Sequence, residues 1–171
     1  MLMIRIIVTT TILLLPLTTL GADRIRYLKA KKSDPGELCQ AIGKKFPLKL
    51  EGFRKLGKLE KETVRPDSDY CYEPTNQCRI YDLEFTGLSL QLIEKEPNQN
   101  AGILTIKITG NRWDILGKVH VGQKISEIES YYGVKIPNNV SPIGIIGDCL
   151  AVVIYHEDGL VTGLNLDCQS C

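Results

Sequence analysis

Histidine is nearly absent: His120 and His156 are the only two in 171 residues. Neither stands in a serine or cysteine motif, and a catalytic triad needs nucleophile, base and orienting acid to converge on one point. Nothing in the chain hints at that convergence, which argues against hydrolysis of this kind. A phosphate-cradling glycine loop is missing too, because Gly144-Ile-Ile-Gly147 lacks the lysine and the helix that follow in one. There is no excess of one charge: 21 Lys and Arg face 20 Asp and Glu, for a formal net charge of +1. Together with the export signal described below, that balance speaks against a nucleic-acid partner. Long apolar runs are confined to the N-terminus, where Pro16 interrupts the stretch and leaves it too short for a membrane span. No cysteine follows at the expected cut, which argues against a lipoprotein anchor.

Two features resemble chemistry without its context. Asp82/Glu84 and Glu127/Glu129 are carboxylate pairs two residues apart. Glycosidases set their two carboxylates across a cleft, whereas on a strand Asp82 and Glu84 simply share a solvated face. Cys168-Gln-Ser-Cys171 has the spacing of redox and zinc sites. No helix follows it to stabilise a thiolate, and no second pair is in reach for zinc. No catalytic residue, metal site or cofactor is therefore expected.

What is present begins with Arg5, the apolar run to Pro16, and small residues around Thr19, Gly21 and Ala22. That is the layout of a secretory signal peptide over residues 1–21, with an uncleaved anchor as the alternative. Residues 22–171 are then expected to form one periplasmic or secreted domain. All six cysteines lie in that part, an even number that argues for disulfides in an oxidising space. Six cysteines allow 15 pairings. Cys71–Cys78 would staple the polar loop between them, Cys149–Cys168 would bridge the last hairpin, and Cys39–Cys171 remain by elimination. Charge is uneven: Ala22–Pro66 holds thirteen Lys and Arg against six Asp and Glu, and Asp67–Cys171 holds seven against fourteen. The basic third is suited to an anionic envelope surface, and the two parts equally suit folding against each other.

Residues 118–133, KVHVGQKISEIESYYG, read as a strand, a glycine corner, a short helix and a glycine stop. Val121, Ile125, Ile128 and Tyr132 recur at helical spacing on one face, and Gly133 suits the left-handed stop. A helix this short must bury that face to persist. A second helix is expected from Ser33-Asp34-Pro35-Gly36-Glu37, where Asp34 caps and Pro35 fits the first turn. Residues 22–33 read as an arm or edge strand, 48–77 as extended structure and loops. In CRIYDLEF and LSLQL, Tyr81, Leu83, Phe85, Leu88, Leu90 and Leu92 alternate with polar residues. A turn at Thr86-Gly87 pairs them with every apolar residue on one face. Residues 103–109 form another strand, 134–147 a long loop with two prolines, and 149–168 a hairpin turning at Asp158-Gly159. A two-residue loop there pairs Val153 with Leu164 and Ala151 with Leu166, and a bulge would shift this by one. Residues 34–95 and 102–171 read as a degenerate duplication.

The residues Val121, Gly122, Ile125, Ile128 and Gly133, with the hairpin after them, resemble the α/β modules of the beta-lactamase inhibitor protein family. They are also similar to the single-module lipoprotein of the outer-membrane barrel-assembly machinery. Leu38, Ile42 and Gly43 match the same pattern loosely in the first half. The resemblance implies a protein that binds other proteins by a sheet face or by loops.

The expected fold is therefore α+β: two short helices on an antiparallel sheet of about five to seven strands, disulfide-stabilised. The expected function is binding another protein, as an inhibitor or immunity-type partner of an envelope or secreted enzyme rather than as an enzyme itself. The alternative is an envelope accessory protein docking on anionic lipid or cell wall, and a third reading is a small hydrolase with an unfamiliar site. Tyr70, Tyr72 and Trp113 are the candidate contact residues, since aromatics near loops make good interface anchors.

Overall fold

The computed structural model describes residues 25–32, 42, 44–66, 78–96, 99–114, 118–147 and 151–168. The expected signal peptide, the helix start at residues 33–37, Tyr70, Tyr72, and Cys39, Cys71, Cys149 and Cys171 lie outside them. The three expected disulfides each involve at least one of these cysteines and remain expectations.

Within the described residues are eight strands in a single sheet and two helices: β1 (Arg26–Lys29), α1 (Leu50–Arg54), β2 (Leu59–Pro66), β3 (Arg79–Phe85), β4 (Leu88–Glu94), β5 (Ala101–Ile108), α2 (Ile125–Tyr132), β6 (Ile143–Ile146), β7 (Ala151–Glu157) and β8 (Leu160–Asp167). Their order across the sheet is β1-β6-β7-β8-β5-β4-β3-β2. All neighbours are antiparallel except β1, which runs parallel to β6. The fold is mostly sheet and α+β, as expected, but the sheet is mixed and has more strands than the alternation alone indicated.

The β3–β4 hairpin pairs Phe85 with Leu88, Leu83 with Leu90 and Tyr81 with Leu92, the expected register. Its turn requires a glycine twice over. Gly87 has φ +75°, and a Cβ there would come within 2.7 Å of the Gly110 Cα. Such a turn excludes a side chain on steric grounds.

One face of the sheet carries the core. Row by row across the strands, Ile145, Val152, Leu166, Ile106, Leu90 and Leu83 align, and beside them Ile143, Ile154, Leu164, Ile108, Leu88 and Phe85. All are buried. Ile125, Ile128 and Tyr132 of α2 and Leu50 and Phe53 of α1 join them in one cluster. Two marginal helices persist because the sheet absorbs their apolar faces. Gly133 ends α2 at φ 67°, with Val134 N–H donating to Glu129 O at 3.1 Å. The chain after β1 also serves this helix end: Lys31 and Lys32 N–H donate to Tyr132 O at 2.8 and 3.2 Å, and Lys32 Nζ donates to Ser130 O at 3.2 Å.

Several expectations are corrected. Residues 118–121 are turns rather than a strand, and Lys124 meets the sheet by a single bridge to Leu160. The proline-containing loop 134–147 contains β6, because Ile143 and Ile145 are drawn into the core. Part of residues 48–77 is helical: α1 forms despite Gly52, which is required because a Cβ there would sit 2.3 Å from the Pro47 Cβ. The last hairpin turns at Asp158-Gly159 but bulges between Tyr155 and His156, so Val153 meets Asn165 and Ala151 meets Asp167.

Candidate functional site

Strand alternation that buries one face of the sheet sends the intervening residues to the other. On that second face two rows cross all eight strands. One runs Tyr27, Gly144, Val153, Asn165, Lys107, Ser89, Glu84 and Lys61. The other runs Lys29, Ile146, Ala151, Asp167, Thr105, Gln91, Asp82 and Thr63. Most of these residues are exposed or half-buried. The face is therefore open, and its make-up changes from one side to the other.

The β1–β6–β7 side is apolar apart from Lys29 at its edge. The Tyr27 ring lies over Gly144, where an added Cβ would fall 2.3 Å from its Cδ1, yet Tyr27 is still 50% exposed. Ile146 is 38% exposed beside it. The β5–β4–β3–β2 side is polar and internally matched: Lys61 Nζ lies 3.5 Å from Glu84 Oε1, and Arg65 Nε lies 3.9 Å from Asp82 Oδ2. Gln91 Nε2 donates to the other Asp82 oxygen at 2.8 Å. Lys61, Asp82, Glu84 and Gln91, with Lys107, line a shallow depression of about 470 Å³. A second depression, of about 280 Å³, lies between Lys107, Thr109, Tyr155, Thr162 and Gly163. At one corner of the face Cys78, Ile80, Ile93 and Leu104 form a small buried cluster of their own.

No family model, no curated protein and no solved structure matches the chain.

Of the candidate contact residues, Trp113 is described and is held in place rather than presented. Its Nε1 donates to Thr86 O at 2.8 Å, its ring tilts against Phe85 at 6.0 Å, and the Arg112 guanidinium lies 5.0 Å from its centroid. It closes the β3–β4 turn end of the core, away from the two rows. Alternation alone placed Asp82 and Glu84 on a solvated face, and that is where they lie. Lys107 and Tyr155 were not singled out in the sequence, where each is merely a polar position in a strand.

The rings of both histidines meet main-chain oxygens. His156 is buried, its Nε2 donates to Val140 O at 2.7 Å, and its backbone N–H donates to Ser141 Oγ at 2.9 Å. His120 Nδ1 lies 3.2 Å from Val121 O in the turn before α2. A third cleft, of about 530 Å³, opens between α1 and the β3–β4 end and is lined by Lys49, Arg54, Arg79, Tyr81 and Glu94. Its groups are largely spoken for. Tyr81 Oη donates to buried Glu94 at 2.9 Å, and Arg54 forks onto Glu62 with Nε at 2.9 Å from Oε2. Burial, and then the Glu94 carboxylate, push the Tyr81 hydroxyl above its ordinary pKa. Among the described residues no group of three or more His, Cys, Asp or Glu could hold a metal ion, and no helix is long and apolar enough to cross a membrane.

Proposed function

We propose that this chain is an exported protein-binding module, acting as an inhibitor or immunity-type partner of an envelope or secreted enzyme, and that it binds through the open sheet face. The observation that carries the reading is the face itself. Eight strands present two continuous rows of side chains to solvent, apolar at one side and charge-matched at the other. Stable interfaces combine an apolar centre with a polar, hydrogen-bonding rim, and a sheet face supplies both without rearrangement. The signal-like N-terminus and the six cysteines support an oxidising location, with Cys71–Cys78 as the pair that staples a loop. The arrangement of helix followed by a three-stranded meander, once as α1 and β2–β4 and again as α2 and β6–β8, supports a degenerate tandem repeat. The second reading, docking on anionic lipid or cell wall through the basic third, draws on exposed Lys29, Lys44 and Lys45. Of the neighbouring lysines, the Lys32 ammonium already donates to Ser130 O at the α2 terminus, which weakens it.

The test is capture from envelope extract on the immobilised protein at low and high salt. Ser89→Trp and Asn165→Trp would block the face, and Lys135→Ala on the other side of the molecule serves as control. One stoichiometric protein that survives high salt and is lost with the face variants alone is the expected result. Lipid or wall material shed at high salt, or a protein that ignores the face variants, overturns the reading.

A further inference from the structure

Lys107 borders both depressions of the open face. We propose that the partner seats a carboxylate over the Lys107 ammonium and places a neighbouring large apolar side chain in the depression at Gly163. This rests on the protein-binding reading and gives the partner a chemistry.

Charge supplies the first argument. On the polar side of the face Lys61 is matched by Glu84 and Arg65 by Asp82. Lys107 is exposed and, among the described residues, has no carboxylate in ion-pair range. A partner covering the face removes water from that ammonium, and a buried unpaired charge is strongly unfavourable. A complementary surface must therefore bring an anion to this point. Protein interfaces use such central charges to fix register as well as to attract.

Shape supplies the second. Gly163 faces outward beside Tyr155, and the side chain it lacks leaves the depression with a backbone floor. Its φ is ordinary, and a Cβ there would meet Ile108 O at 3.4 Å and the Tyr155 Cβ at 3.6 Å, both normal contacts. Neither backbone strain nor crowding demands a glycine here, so the hole is not a by-product of the fold. The half-buried Tyr155 ring and the Lys107 stem wall it, which suits an apolar side chain from outside. Tyrosines beside a central pocket are also where binding energy concentrates.

The probes are three short peptides: Ac-Gly-Glu-Phe-Gly-NH2, the same with Lys for Glu, and the same with Ala for Phe. Each is titrated into isotope-labelled protein while amide chemical shifts are followed. The Glu-Phe peptide is expected to move Lys107, Tyr155 and Gly163 and to bind roughly tenfold more tightly than either control. Lys107→Glu should reverse the preference between the acidic and basic peptides. Gly163→Val should cut Glu-Phe affinity to the level of the Ala peptide, and Gly163→Ala is the milder filling if Val disturbs the spectrum. Equal affinity for all three, shifts clustered elsewhere, or no shift at about 5 mM, where even millimolar affinity is visible, overturns the proposal. If Ser89→Trp and Asn165→Trp abolish capture while the peptides ignore Lys107, the module reading survives and only this assignment fails. If capture ignores those two variants, the face itself is wrong.

Discussion

Gly144→Ala is expected to destabilise the protein only while Tyr27 keeps its ring. A Cβ at residue 144 would lie 2.3 Å from the Tyr27 Cδ1 and 2.4 Å from its Cε1, so the ring must swing away. A large aromatic covers about 200 Å² when fully buried. Tyr27 is 50% exposed, so roughly 100 Å² of cover is at stake, worth about 2.5 kcal/mol at ~25 cal/mol per Å². The displaced ring would keep part of that cover, and Ala in a strand regains about 0.5–1 kcal/mol over Gly. The net cost should be about 1–1.5 kcal/mol. With a urea slope of about 2 kcal/mol per M, the midpoint falls by roughly 0.5–0.8 M. In a Tyr27→Ala background the ring clash is gone and only a 3.2 Å approach to the Ile25 Cγ2 remains, so Gly144→Ala should be within about 0.5 kcal/mol of neutral. The assay is urea unfolding of the four proteins of this cycle, with the coupling read as the difference between backgrounds. Equal effects of Gly144→Ala in both would refute the reasoning, since the ring could not then lie over residue 144.

Ile128 is wholly buried in the core under α2, so Ile128→Ala should cost about 2–5 kcal/mol in urea unfolding. Tyr81→Phe removes the hydroxyl that donates to the buried Glu94 carboxylate. It should cost about 1.5–3 kcal/mol by the same assay at pH 7. The Glu129 carboxyl is held below the ordinary carboxylate range, mainly because it accepts the Ile136 N–H at 2.8 Å and also because Lys135 lies 3.3 Å away. A lowered folded pKa contributes stability that is present above the unfolded value, about 4.3, and is lost as pH falls through the folded one. Wild type should therefore lose more stability between pH 5 and pH 2 than Glu129→Gln, as read by urea midpoints across that range.

How much of this was legible depended on whether a residue's role was local. The β3–β4 hairpin was, because Tyr81 to Leu92 alternate without a break around a glycine turn. The α2 face and its Gly133 stop were legible for the same reason. Two misses and one choice left open have non-local causes. Gly52 argues against a helix in isolation, but its missing Cβ lets Pro47 pack onto α1. Ile143–Ile146 stands just after a proline and looks like loop, yet it becomes a strand because β7 and β1 lie on either side. Thr162 is an extra residue between the Tyr155–Gly163 and His156–Val161 pairs, and of the two registers open in the sequence this bulge selects the one that pairs Ala151 with Asp167. Of the open face, the sequence displayed Asp82 and Glu84 as solvated. Lys107 acquires meaning only when β5 is placed between β4 and β8, a neighbourhood that no stretch of chain contains.

The parallel pair at the edge of the sheet has a consequence for how the chain assembles. Arg26 is in register with Ile143, so β1 can find its partner only after the more than one hundred residues between them are available. Contacts between such distant segments close late and slow folding. Until β6 arrives, Arg26–Lys29 is an unpaired basic ribbon, and the β7 edge that β6 will cover is open. The positive charges in and around β1 discourage pairing with another copy during that interval. The basicity of the N-terminal third thus has a use in folding that is independent of any ligand.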